Sequence, residues 1–212
     1  PFVTLDCGQA SNADALAAEL FGFSRRSGFT VDAAGRPGKA LLADGGILFI
    51  DEVNSMPLEL QPRLLRLVES GRYSALGSGE EVRVDIQVIA ATNEDLKLAV
   101  RERRFREDLY FRLSQITLSL PSLSERRADV MPLAERLLTS AARRFGLDHL
   151  HFSGDAIALL ENFAWERAGN IRGLEHTIER TVLMLDSGRH RIERDDIILS
   201  ELLEAHVPAN GG

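Results

Sequence analysis

The stretch Gly45-Gly46-Ile47-Leu48-Phe49-Ile50-Asp51-Glu52-Val53 constrains this chain more than any other. Four consecutive apolar residues, Ile47 to Ile50, follow a Gly-Gly turn signal and run into two adjacent carboxylates. An unbroken apolar run of that length predicts a strand buried on both faces of a parallel sheet. In open α/β sheets ligands bind beyond the carboxyl ends of the strands, which is where Asp51 and Glu52 fall. Two carboxylates there can divide the work: one holds a hard cation such as Mg²⁺, the other orients or deprotonates a water. The plain alternative is a core strand ending in two solvated acids.

Composition removes several other classes. With 44% hydrophobic and 27% charged residues over 212 positions, the chain has the balance of a soluble globular protein with one sizeable core or two modest ones. No apolar run approaches membrane length and no signal-peptide pattern is present, so no membrane partner is expected. Cys7 is the only cysteine; it excludes an internal disulfide framework and a cysteine-based zinc site, and points to a cytoplasmic location. A net charge of −7 argues against this segment being the main grip on nucleic acid. The basic residues are almost all arginine, with Lys39 and Lys97 the only lysines.

In chain order, Pro1 to Asp6 reads as a strand that starts abruptly, as in an excised fragment, and Asn12 to Phe21 as a short capped helix. Gly22 to Gly38 is a Gly-, Ser- and Arg-rich exposed loop carrying an isolated Phe29. Gly35-Arg36-Pro37-Gly38-Lys39-Ala40 imitates a phosphate-binding loop, but Ala33 stands where the first glycine belongs and Ala40 lacks the hydroxyl needed for Mg²⁺. Lys39 to Ala43 suits a turn or two of helix. Pro57 to Ser70 predicts an amphipathic helix with Pro57 in its first turn, an apolar face of Leu58, Leu60, Leu64, Leu65, Leu67 and Val68, and Gly71 at its end. Short strands are expected around Gly77-Ser78-Gly79, and a buried strand from Asp85 to Ala91 ends at Thr92-Asn93. Glu94 to Leu113 reads as helix in two pieces, and Ile116 to Leu120 as a last strand. From Ser124 onward the pattern is helical only: Asp129 to Phe145, Ser153 to Phe163, Ile171 to Leu185 and a short element from Arg194 to Leu203. The chain thus divides into an α/β part over 1–123, a small helical part over 124–206 and a linker-like tail over 207–212.

Taken together, G-G-I-L-F-I-D-E-V, P-L-E-L-Q-P-R-L-L-R, I-A-A-T-N-E-D-L, R-F-R-E-D-L-Y-F-R-L and G-N-I-R-G-L-E resemble the AAA+ domain of bacterial enhancer-binding proteins, the sigma-54-dependent transcriptional activators. The resemblance runs from about Pro1 to Leu185 in the family's order. It implies an α/β parallel-sheet core followed by a helical lid. It also implies a ring-forming ATPase that uses ATP and Mg²⁺ to remodel the RNA polymerase–sigma-54 holoenzyme, with DNA bound through a domain outside this chain.

Residue by residue, Asp51 and Glu52 correspond to the Walker B pair: Asp51 holds Mg²⁺ and Glu52 polarises the attacking water. Asn93 corresponds to sensor I, whose amide bonds the γ-phosphate or the water without competing for its proton. Arg106 and Arg112 correspond to arginine-finger positions, one inserting into a neighbouring subunit's site; on one ideal helix they stand about 240° apart. Arg172 corresponds to sensor II, a lid arginine that touches the phosphates. Phe29 and Thr30 keep the centre of the family's G-A-F-T-G-A sigma-54 contact loop.

Four departures accompany these matches. The family's glycine-rich Walker A loop precedes the strand with which this chain begins, so the polypeptide is expected to bind ATP weakly or not at all. Val31 and Asp32 replace the closing Gly-Ala of the contact loop, one residue further from Glu19-Leu20-Phe21-Gly22 than usual. Asp6 stands where the family has a switch asparagine, putting three carboxylates close together. Trp165 to Arg172 is two residues longer than the family's W-P-G-N-V-R and lacks its proline. The last three of these departures, the altered loop, Asp6 and the lengthened lid approach, favour a second reading, a degenerate AAA+ oligomerisation or regulatory module that does not remodel sigma-54.

Overall fold

The computed structural model describes residues 1–24, 35–147, 149–186 and 188–199. The chain divides into two compact units, Pro1–Leu118 and Ser119–Gly212, five residues ahead of the boundary expected at Leu123.

The first unit is built on a three-stranded parallel sheet. β1 (Phe2–Asp6) is followed by α1 (Ala13–Phe21), which starts where Asn12 accepts a hydrogen bond from the Ala15 N–H. A two-residue antiparallel pair, β2 (Gly22–Phe23) with β3 (Arg36–Pro37), and a one-turn α2 (Lys39–Leu42) lead to β4 (Gly46–Asp51). The imitation phosphate loop is therefore spent on a strand edge and a helix start. After α3 (Gln61–Ser70), β5 (Arg72–Ser74) and β6 (Glu81–Arg83) form a hairpin, and β7 (Ile86–Ala90) returns to the sheet. Strand order is β1-β4-β7, with Asp6 beside Asp51 and Ile50 beside Ala90. α4 (Leu96–Arg101) and α5 (Glu107–Leu113) complete the unit.

Three expectations need correction. β4 is fully buried on one face only: Leu48 and Ile50 are inaccessible, whereas Phe49 is half-buried and stacks on Phe2, itself 62% exposed. The amphipathic helix begins at Gln61, so Pro62 rather than Pro57 occupies the first turn, and Leu58 is exposed because it lies in the turn ahead of the helix. Leu60, Leu64 and Leu67 are buried as expected. Ile116 to Leu120 is not a strand; among the described residues no backbone pairs with it, and Ile116, Leu118 and Leu120 stand exposed. Alternation marks a segment able to form a strand, but a ladder also needs a free edge beside it.

The second unit packs α6 (Val130–Phe145) against α7 (Gly154–Asn162) and α8 (Asn170–Met184) around Leu123, Leu138, Leu160, Trp165, Leu174 and Ile178. It is not purely helical: β8 (His151–Phe152) and β9 (Arg191–Ile192) form a short parallel ladder. Two-residue strands are too short to leave a period in the sequence. Of the element expected from Arg194 to Leu203, the described residues form a 3₁₀ turn, Arg194–Asp196, and 200–203 lie outside the described residues.

Candidate functional site

At the end of β4 the chain makes a strained exit. Glu52 has φ 49° and ψ 47°, a left-handed conformation that costs a non-glycine residue free energy and recurs where side chains must be aimed. The turn is held from three sides. Asp51 Oδ1 accepts the Glu52 N–H at 3.0 Å, the Ala91 N–H donates to Ile50 at 2.8 Å, and the Val53 N–H donates to Ala91 at 3.0 Å. Asp51 is exposed, and the Glu52 side chain has no hydrogen-bond partner among the described residues.

Gly8 makes room for that carboxylate. A Cβ on Gly8 would sit 2.0 Å from Glu52 Oε2 and 3.4 Å from Asp6 Oδ1, so both acids crowd the same point. Asp6 is nevertheless engaged within its own turn: Oδ1 accepts the Gly8 N–H at 2.9 Å and Oδ2 accepts Gln9 Nε2 at 2.7 Å. Beside them an open cleft of about 570 Å³ is lined by Thr4, Asp6, Gln9, Glu19, Lys39 and Asp51. Its negative field is felt by Cys7, whose thiol is pushed up to about 12, first by burial and then by Asp6, Glu19, Asp51 and Glu52. Lys39 is paired with Glu19.

Parallel pairing brings the end of β7 alongside the end of β4, and Asn54 ties the two. Asn54 Nδ2 donates to Asn93 Oδ1 at 3.1 Å, and the Thr92 hydroxyl donates to Asn54 Oδ1 at 3.0 Å. Asp51, Glu52 and Asn93 are thus grouped on adjacent strand ends. Next to Asn93, Glu94 forms a two-pronged ion pair with Arg104, which also binds Glu102. The Arg104 guanidinium, helped by the Asn54 amide, holds the Glu94 carboxyl below the usual carboxylate range.

The two candidate finger arginines do not share a helix. Arg106 is the extended N-cap of α5, and Arg112 lies in its last turn, so the helical-wheel angle does not apply to them. The break falls at Arg103, with φ 58°, just after α4. Both side chains are exposed. Arg106 is held by Asp108, Nε to Oδ1 at 3.0 Å and Nη2 to Oδ2 at 2.7 Å, and in turn keeps the Asp108 carboxyl low. Arg112 has no partner among the described residues. Gln61, fully buried, links α3 to this segment through its carboxamide. Neither Gln61 nor Asn54 stands out in the sequence as a site residue. The available signal for Gln61 was a polar side chain placed three and four residues before Leu64 and Leu65, on a buried face.

In the second unit Arg172 is the third residue of α8 and is exposed, with no partner among the described residues. The lengthened approach to it is absorbed by a 3₁₀ turn, Trp165–Arg167. The Trp165 ring is buried there and donates its indole N–H to Leu160 at 2.8 Å. Asn170 then accepts the Leu123 N–H at 2.9 Å. Phe29, Thr30 and the tail over 207–212 lie outside the described residues.

Comparison with known proteins identifies the family. Residues 1–119 match the model of the sigma-54 interaction domain, and residues 124–208 that of the AAA+ ATPase lid domain. The chain belongs to the sigma-54 interaction domain family. It is 41% identical over 199 residues to the formate hydrogenlyase transcriptional activator FhlA of Escherichia coli K12, covering 94% of this chain and 28% of that protein. It is 39% identical over 210 residues to the DNA-binding transcriptional regulator NtrC of Klebsiella pneumoniae, covering 99% and 43%. It spans between 28% and 57% of the length of such curated relatives. Among solved structures, NtrX from Brucella abortus superposes with a TM-score of 0.85 at 29% identity, covering 97% of this chain and 44% of that one. NtrX in complex with ATP superposes at 0.81 and 30% identity, covering 98% and 46%. The family is that of sigma-54-dependent transcriptional activators. No helix among the described residues is long and apolar enough to cross a membrane.

Proposed function

We propose that the intact protein hydrolyses ATP at this site within a ring of identical subunits in the cytoplasm, and uses the cycle to remodel RNA polymerase carrying sigma-54. The observation that carries this reading is the Asp51–Glu52–Asn93 group, with Asn54 holding the two strand ends together and the Glu52 carboxylate left unpartnered. The donor set fits Mg²⁺. No cluster of three or more His, Cys, Asp or Glu among the described residues forms a self-sufficient metal cage, and Mg²⁺ is commonly held by one or two carboxylates with phosphate oxygens and waters. Asp51 is the carboxylate for it, and the cation supplies charge neutralisation at the phosphates. Glu52 orients the attacking water, Asn93 fixes its position, and Arg106 or Arg112 is presented to a neighbouring subunit. Arg172 of the lid reaches the phosphates, Phe29 and Thr30 touch sigma-54, and DNA is bound by a domain outside this chain. Glu52→Gln in the intact protein tests the core of this: hydrolysis falls by about 10²-fold or more while binding of a fluorescent ATP analogue persists. Unchanged hydrolysis removes Glu52 from that role, and an intact protein without Glu52-dependent or any other ATP hydrolysis removes the enzymatic reading.

One observation favours the alternative of a regulatory module that does not remodel sigma-54. Both Asp6 oxygens are engaged by its own turn, and a carboxylate offers Glu52 no proton in place of an asparagine amide. ATP-dependent open-complex formation with sigma-54 holoenzyme eliminates that alternative.

A further inference from the structure

We propose that Gln61 is a positioning residue for Arg106, coupling the turn after Glu52 to the arginine offered to a neighbouring subunit. The proposal rests on Arg106 acting as a finger. The Gln61 carboxamide is inaccessible to solvent and its hydrogen bonds are fully accounted for. Nε2 donates to the Met56 carbonyl at 2.9 Å and to the Arg104 carbonyl at 3.0 Å, while Oε1 accepts the Arg106 N–H at 2.8 Å.

These contacts belong to two different parts of the site. Met56 closes the 3₁₀ turn Val53–Ser55 that starts at Glu52, and its own N–H donates to Val53 at 3.1 Å. Arg104 and Arg106 flank Phe105, which is 2% exposed and anchors the segment in the core. Arg106 is the N-cap of α5, its own side chain caps no backbone N–H of that helix, and its backbone N–H is bound by Gln61. The backbone from which its side chain leaves is therefore fixed by a residue of another helix, while the guanidinium itself is held by Asp108. The second route, Asn93 to Asn54 and Glu94 to Arg104, runs parallel to the first. A shift at the strand ends is thereby transmitted to Arg106 through a rigid amide. A buried amide fits this use because removing one partner leaves the others unsatisfied, so it moves as a unit or not at all.

The test is a double-mutant cycle in the intact protein with Gln61→Met, Arg106→Ala and both together, reading kcat and KM for ATP hydrolysis. Displacing a finger by about 1 Å is worth up to ~10²-fold, so Gln61→Met lowers kcat by about 10- to 100-fold with KM changed less than about twofold. In the Arg106→Ala background the same change has no further effect. A Gln61→Met loss that persists in full without the Arg106 guanidinium, or an unchanged kcat, overturns the proposal. If Arg106→Ala alone leaves kcat unchanged, the finger reading fails first and the proposal with it. Native-state hydrogen exchange covers the case in which Gln61→Met does not fold: the Arg106 amide exchanges as slowly as core amides, and exchange at an exposed-loop rate overturns the proposal.

Discussion

Gly8 and Cys7 flank the acidic cleft and make it testable one residue at a time. A methyl group on Gly8 collides with the end of a flexible side chain, Glu52, rather than with backbone. Gly8→Ala is therefore expected to swing the Glu52 carboxylate away: hydrolysis drops about tenfold or more while the melting temperature moves little, since surface-level changes cost within about 0.5 kcal/mol. Parallel melting and ATPase assays check this. Cys7 reports the field. Its thiol holds its proton to about 12 in the folded protein against 9.0 as the ordinary value. The unfolded chain therefore binds fewer protons than the folded one across that window, and stability falls as pH rises from 9 to 12. Chemical denaturation at several pH values checks the slope, and Cys7→Ala removes this contribution. At pH 8 the native thiol is expected to react with a disulfide reagent far more slowly than the unfolded one, because burial and the surrounding carboxylates leave less of it as thiolate.

Among the elements, the α4–α5 junction holds the clearest strain. Arg103 turns the chain with φ 58°, a region that side chains with a Cβ enter at a cost of roughly 1 kcal/mol. Arg103→Gly is expected to stabilise the first unit by about that amount, less the entropy glycine adds to the unfolded chain, and a denaturant midpoint shift upward checks it. This break was only half legible. The sequence implied two helical pieces over 94–113 but gave no glycine to mark the joint, so Arg106 and Arg112 were expected on one helix. β4 was legible because an apolar run ending in carboxylates admits few alternatives. Asn93 was expected just past the end of a strand and does follow β7, but that place alone suits a turn asparagine equally; its sensor role comes from the resemblance of I-A-A-T-N-E-D-L. The Asn54–Asn93 bond and the Gln61 amide were not legible, because they join residues 39 and 45 positions apart and leave no periodicity. Ile116 to Leu120 failed for the opposite reason: its alternation is clear, but a strand also depends on a neighbour.

For the whole molecule, the question is whether Glu52 and its arginine belong to the same subunit. With Arg106 held by Asp108 at the surface, it serves its own Glu52 only if the finger acts within one chain. In a ring the two come from different chains. Mixing a Glu52→Gln variant with an Arg106→Ala variant is then expected to restore hydrolysis that neither has alone. No recovery across mixing ratios, with mixed rings confirmed by mass, removes the shared-site arrangement.

Trp165 has a further consequence for such experiments. It is the only tryptophan in the chain, fully buried in the second unit and packed edge-on against Phe163, whereas both tyrosines, Tyr73 and Tyr110, lie in the first. The two units therefore carry different natural fluorophores. Selective excitation of the indole follows the lid alone, so its melting can be timed against that of the sheet without attaching a dye.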